Sequence, residues 1–273
     1  MLSDITLGQF FPGDSVIHKL DPRYKIICII LYIIAIFSAN TLEAFCLIAL
    51  ATFAIVLFSK LGFHTILKSL KPVMFILAFT AIANLFWTTG EGAPLVTLWK
   101  IRIYREGVIY ALLMALRIMC LIISTFVLLT YTTSPVAITD AIERLLSPFK
   151  KIGLPVHEFS MMMTIALRFI PTLIEETGKI INAQKARGAD FESGNLLRRA
   201  KALVPILIPL FVSAFRRADE LAGAMECRLY HGGEGRTRMK VMKACFSDVA
   251  VTAAFLLFCA GIIFTRFVFE GVI

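Results

Sequence analysis

The sequence predicts an all-α, polytopic membrane protein with about five transmembrane helices and an amphipathic three-helix domain placed before the last of them. Hydrophobic residues fill 58% of the 273 positions, against roughly 45–50% in a soluble domain, and mean hydropathy is +0.81. Several apolar runs approach the length of about 20 residues that a helix needs to cross hydrocarbon. Residues 132 to 247 break this pattern with long stretches of helical periodicity and carry 17 Lys and Arg against 11 Asp and Glu.

The first run, Ile26 to Phe58, would make a helix about 50 Å long, too long for a hydrocarbon core of roughly 30 Å. It must break, and Ser38-Ala39-Asn40-Thr41 is the place. Asn40 is the expected cap of the second helix, with Glu43 three residues on in a variant of the capping box. A third span is expected from Pro72 to about Trp87, a fourth from Gly107 to Tyr131 and a fifth from about Val249 to Phe267. The chain thus divides into a membrane domain over 1–132, the amphipathic domain over 133–246, and a last span in 247–273.

Flanking charge gives the orientation. Lys19, Arg23 and Lys25 precede the first span and Lys60, Lys68 and Lys71 follow the second, so both of these ends, and with them the N-terminus, are expected on the cytoplasmic side. The loop from Thr88 to Glu106 carries Lys100, Arg102 and Arg105 and weakens the assignment. The first 24 residues hold Asp4, Asp14 and Asp21 and no early apolar core, so no cleaved leader is expected there.

Within the amphipathic domain, Ser134-Pro135 starts a short helix with Ile138, Ile142, Leu145, Leu146 and Phe149 on one face. A long helix follows from His157 to about Lys185, its stripe including Phe159, Met162, Met163, Phe169, Leu173 and Ile180. Its mate runs from Asn195 to about Tyr230. The apolar centre of that mate, Leu203 to Phe215, is interrupted by Pro205 and Pro209 and is short for a span. It is expected at the membrane surface or under the bundle, with a sixth or re-entrant span as the alternative.

The two long helices end alike, in Ala186-Arg187-Gly188 and Cys227-Arg228-Leu229. Gly188 and Gly232-Gly233 suit helix C-caps. An arginine at a helix C-terminus favours the macrodipole by about 0.3–1 kcal/mol, which explains the pattern without further function. It also makes a fixed planar cation for an acidic groove on a soluble partner.

Arg117 lies near the middle of the fourth span, where a bare cation costs at least about 2.5–3.5 kcal/mol. It is expected to face the bundle interior, paired structurally with Asn84, Glu43 or a backbone carbonyl, with a place on a transport path as the other reading. Asp21-Pro22-Arg23 reads as N-cap, first helical residue and interfacial anchor. Glu175-Glu176 and Asp219-Glu220 stand beside Lys179 and Arg216-Arg217 at helical spacing and read as solvated ion pairs.

Six dispersed cysteines without a C-x-x-C and four separated histidines indicate neither a disulfide framework nor a metal site. No P-loop, G-x-S-x-G or H-E-x-x-H occurs, so no catalytic residues are assigned and no cofactor is expected on this chain. The bilayer is the expected surrounding, and no nucleic-acid partner is expected. A self-contained permease or channel would need several inward polar residues at one depth, and Arg117 and Asn84 are nearly alone.

Four segments in order resemble the transmembrane T component of energy-coupling factor transporters, the EcfT family related to the cobalt-system CbiQ proteins. They are Gly8 to Ser15 (GQFFPGDS), His18 to Lys25 (HKLDPRYK), Arg168-Phe169-Ile170-Pro171, and the two arginine-centred helix ends. The resemblance implies a non-catalytic coupling subunit in a prokaryotic cell membrane. By it, Ala186, Arg187, Gly188, Cys227, Arg228 and Leu229 dock on two cytoplasmic ABC ATPases (EcfA and EcfA′), which bind ATP and Mg. The same domain would cradle one or more membrane S components that bind the vitamin or other micronutrient. Cys227 and Leu229 depart from the Ala and Gly common in that motif. The Pro-Gly-Asp-Ser segment is more similar to T components shared among several S components.

Overall fold

The computed structural model describes residues 13–87, 96–98, 101–189, 191, 195–232 and 245–268. The segment from Gly8 to Pro12, residues 88–95, Lys100 and Gly233 lie outside the described residues. By packing, the chain forms two compact units, one from Gln9 to Ile138 together with Val241 to Ile273, the other centred on Thr139 to Lys240.

The first unit opens with α1 (Val16–Lys19) and α2 (Pro22–Ser38), followed by α3 (Leu42–Ser59). The break between α2 and α3 falls where the sequence predicts, but Thr41 rather than Asn40 is the cap: its side chain accepts from the Ala44 amide at 3.3 Å. Glu43 then sits in the first turn, where a carboxylate favours the helix dipole. The third span starts earlier than Pro72. An amphipathic α4 (Phe63–Leu70) runs through a single 3-10 turn, Lys71–Val73, into α5 (Met74–Trp87), because Pro72 occupies a first-turn position where its missing N–H costs nothing.

A short antiparallel hairpin follows, β1 (Val96–Leu98) on β2 (Ile101–Ile103), with Thr97 opposite Arg102. It is the one departure from an all-α fold among the described residues. Next comes α6 (Arg105–Thr125), which passes into a π-helical segment at Phe126–Tyr131, and the unit closes with α10 (Phe246–Val268). Among the described residues, four helical runs are long and apolar enough to span a membrane: Leu42–Ser59, Phe63–Trp87, Arg105–Tyr131 and Phe246–Thr265. With 17 residues, α2 extends about 25 Å and stands at the lower limit for a span.

Small residues let these helices approach closely. Ala35, Ala39 and Ala44 are fully buried beside Tyr32, Ile36, Ile48 and Ile262. The Tyr32 hydroxyl donates to the Ile48 carbonyl at 2.9 Å and also meets the Thr52 hydroxyl, so the one polar atom of that ring is satisfied inside the bundle. Large apolar side chains such as Phe37, Phe53, Phe75 and Leu112 point outward, as lipid contact requires.

Asp21 caps α2 by accepting from the Arg23 amide, as its position predicts, but the Arg23 guanidinium folds back on the same carboxylate at 2.7 Å instead of serving only as an interfacial anchor. Lys25 is 2% exposed and donates to the Thr132 carbonyl and to the hydroxyls of Thr132 and Thr133. It ties the start of α2 to the end of the fourth span. Lys25→Met keeps most of the stem and leaves those acceptors unpaired. It should cost about 2–3 kcal/mol and lower the thermal midpoint of the detergent-purified protein; an unchanged midpoint contradicts the tie.

The second unit holds most of α7 (Pro135–Leu146), a 3-10 segment at Ser147–Ile152, α8 (Val156–Ala186) and α9 (Leu196–Cys227). Ser134 caps α7 by accepting from the Ala137 amide. The left-handed Gly153, at φ 87°, ends the 3-10 segment. His157 Nδ1 lies 3.0 Å from Glu143 Oε1 and links α8 to α7. Helix α9 continues through Pro205 and Pro209 and is not among the four runs long and apolar enough to span.

Candidate functional site

Helices α8 and α9 terminate in the same way. Arg187 is the C-cap of α8; the Gly188 amide donates to the Lys185 carbonyl and the Ala189 amide to the Gln184 carbonyl, both at 3.0 Å. Arg228 is the C-cap of α9; the Leu229 amide donates to Glu226 at 2.9 Å and the Tyr230 amide to Met225 at 3.1 Å. These paired bonds are the Schellman arrangement, which satisfies carbonyls that the helix itself leaves open.

The arrangement needs a left-handed residue directly after each arginine. Gly188 provides it at φ 87°. At the second end Leu229 provides it at φ 54°, three residues before the Gly232 that the sequence suggested. A left-handed non-glycine costs roughly 1–2 kcal/mol, so the second end holds this geometry against its own backbone preference. Both arginines are exposed, and each stands on the last turn of a helix more than thirty residues long.

Contacts between the two helices fix their direction. Ser213 donates its hydroxyl to Glu176, and Arg217 Nη2 donates to the same carboxylate at 2.9 Å. Gln184 Nε2 reaches the Pro205 carbonyl at 3.5 Å. Residue numbers rise on one helix as they fall on the other, so the pair is antiparallel. In that register Arg187 lies opposite about residue 202, and Arg228 stands roughly 26 residues further along, on the order of 40 Å at 1.5 Å per residue. The two arginines therefore occupy opposite ends of the pair.

Glu176 thus belongs to an interhelical tie rather than to the solvated pair with Lys179 that its spacing suggests. The Ser213 hydroxyl, with Arg217 behind it, holds the Glu176 carboxyl below the usual carboxylate range. A depressed carboxylate contributes its stability above its unfolded value of about 4.3 and loses it as pH falls through the folded one, so the tie is intact at neutral pH.

The apolar stripes of this unit are only partly used within the chain. Val156 and Ser160 are the buried residues of α8, and Ile206 is a buried residue of α9. Phe159, Met162, Leu207, Ile208, Phe211 and Phe215 are each 46% exposed or more.

The intramembrane polar residues find different partners. Arg117 Nη2 donates to the Ala39 carbonyl, and its guanidinium carbon stands 5.1 Å from the centre of the Phe45 ring. Asn84 does not pair with it: its Nδ2 donates to the Thr80 carbonyl at 2.9 Å, one turn back in its own helix. Ala39 ends α2, so its carbonyl has no helical donor and takes the cation. The membrane unit also contains a cavity of about 460 Å³ lined by Ile17, Cys28, Leu50, Ile55 and Phe255, offering a solute few polar groups. Among the described residues, no three His, Cys, Asp or Glu side chains group as metal ligands.

Gly188→Ala tests the cap geometry. No atom lies within 4 Å of an added Cβ, so the penalty is that of the backbone alone, about 1 kcal/mol, and amide exchange at Ala189 should quicken about fivefold. Leu229→Gly should leave exchange at Tyr230 unchanged or slower. Equal responses to the two substitutions contradict the assignment.

The cobalt transport protein family model, CbiQ, matches residues 13–239. Three relatives, each named energy-coupling factor transporter transmembrane protein EcfT, align over nearly their whole length. That of Clostridium kluyveri is 55% identical over 96% of this chain and 97% of its own, and that of Ruminiclostridium cellulolyticum 52% identical over 98% and 100%. The Bacillus subtilis protein is 44% identical over 97% and 100%. A full-length match at these identities, on a bundle of membrane helices with an amphipathic helical unit, places this chain in the CbiQ family, among the transmembrane components of energy-coupling factor transporters.

Proposed function

We propose that this chain is the coupling subunit of an energy-coupling factor importer, carrying motion from two cytoplasmic ABC ATPases to a membrane S component that binds a vitamin or other micronutrient. The matched helix ends carry the reading. Each presents one exposed arginine at a fixed C-cap, and the two stand at opposite ends of an antiparallel pair, as two separate docks require.

On this reading, Ala186-Arg187-Gly188 seats on one ATPase and Cys227-Arg228-Leu229 on the other, each guanidinium gripping carboxylates in an acidic groove. ATP and Mg are bound by the ATPases, and their closing and opening shifts the two docks. Because α8 and α9 are long helices, displacement at the docks moves their apolar stripes, and those stripes are the surface offered to the S component. A cytoplasmic N-terminus and helical unit, in a prokaryotic cell membrane, is supported by Lys19, Arg23, Lys25, Lys60, Lys68 and Lys71 flanking the first two spans.

Arg187→Glu and Arg228→Glu made together should abolish co-purification of both ATPases and reduce solute uptake at least tenfold, while the chain still accumulates in the membrane. Single substitutions should each weaken one dock. Full co-purification and normal uptake by the double variant contradict the proposal.

A further inference from the structure

Among the described residues, two polar ties join α8 to α9. Glu176 takes the Ser213 hydroxyl and Arg217, and Gln184 takes the Pro205 carbonyl. They are eight residues apart on each helix, so both fit one antiparallel register, separated by about 12 Å.

The second tie exists because of proline. Pro209 has no N–H for the carbonyl four residues back, which is that of Pro205, so this carbonyl lacks its helical partner. Gln184 supplies a donor from the facing helix. The main chain of Gln184 also accepts from Ala189 in the turn that sets Arg187. One residue therefore connects the cap of α8 to the body of α9.

Apolar packing alone is non-directional and places two helices loosely along each other. A slip of one turn would change the separation of the two arginines by about 5.4 Å. Directional polar contacts prevent this at two points. The pair at Glu176 is partly exposed, with side-chain exposures of 23% and 39% for Glu176 and Arg217, and such pairs add little stability. Setting register is the use for which polar contacts between helices are best suited.

We infer that these ties form a two-point clamp that fixes the register of the coupling helices, and that Glu176 is a positioning residue which, through Ser213 and Arg217, sets the spacing of Arg187 and Arg228. The register claim stands on the geometry alone; its role in transport rests on the docking reading given above.

The test uses the full chain assembled with its ATPases and S component. Nitroxide labels on non-natural residues replacing Lys185 and Glu226 report the distance between the helix ends. The parent should give one narrow distribution. Glu176→Arg, which sets two cations against each other, should broaden or displace it by about a turn, ~5 Å, and cut uptake per ATP hydrolysed at least threefold. Glu176→Arg with Arg217→Glu should restore both. Glu176→Gln, a milder change that keeps the side chain's shape, should broaden the distribution as well and serves if Glu176→Arg does not accumulate. An unchanged distribution in these variants overturns the clamp. A changed distribution with unchanged uptake per ATP overturns the positioning role. Loss of ATPase binding by neither Arg187→Glu nor Arg228→Glu overturns the docking reading and leaves the register result standing.

Discussion

Backbone carbonyls that a helix cannot satisfy for itself decide where Arg117 and Lys25 go in the membrane unit. In apolar surroundings an unpaired carbonyl has no water to turn to, and the cost of leaving it open is of the order of 1–3 kcal/mol. The Ala39 carbonyl at the end of α2 takes Arg117, and the Thr132 carbonyl at the end of the fourth span takes Lys25. Pro209 frees the Pro205 carbonyl, which takes Gln184. At the ends of α8 and α9 the last carbonyls are closed by amides of the following turn, and that turn is what holds each arginine at its C-cap. One constraint thus locates Arg117 and Lys25 in the bundle and shapes the turns that carry the arginines proposed to dock.

The two units treat their apolar surface differently. In the membrane unit Tyr32, Ile36, Ile48 and Ile262 are almost wholly buried against neighbouring helices, and the remaining apolar side chains suit lipid. In the amphipathic unit the stripes of α8 and α9 stay largely exposed along helices that hold one another by few polar ties. Apolar faces left in that state mark surfaces for another protein or for the membrane. Membership in a transporter family whose members are transmembrane components of a complex accords with such a surface.

Much of this was legible in the sequence because it depends on local chemistry. Length limits forced the break near Ser38, Asp21-Pro22 set the start of α2, and Gly188 announced a left-handed turn. What escaped was decided by tertiary contact or by a local choice between near-equivalent residues. Thr41 and Asn40 are both good caps, and the chain uses the later one. Leu229 takes a conformation that residue type argues against, three residues before the glycine that seemed made for it. Pro205 and Pro209 read as interruptions, whereas in the fold Pro209 frees an acceptor for Gln184 of the facing helix. Glu176 has Lys179 at helical spacing, yet its partners come from α9, and no spacing within one helix could reveal them. Arg117 was expected to meet one of three partners, and it meets the backbone carbonyl of Ala39, which at the end of α2 has no helical donor.

The central claim is that the two matched helix ends contact two different ATPase subunits. Photo-cross-linking residues placed singly at Ala186 and at Cys227 in the intact complex measure this most directly. Each position should trap an ATPase, and the two trapped subunits should differ. Cross-links at both positions to the same subunit, or to no ATPase at all, would contradict it.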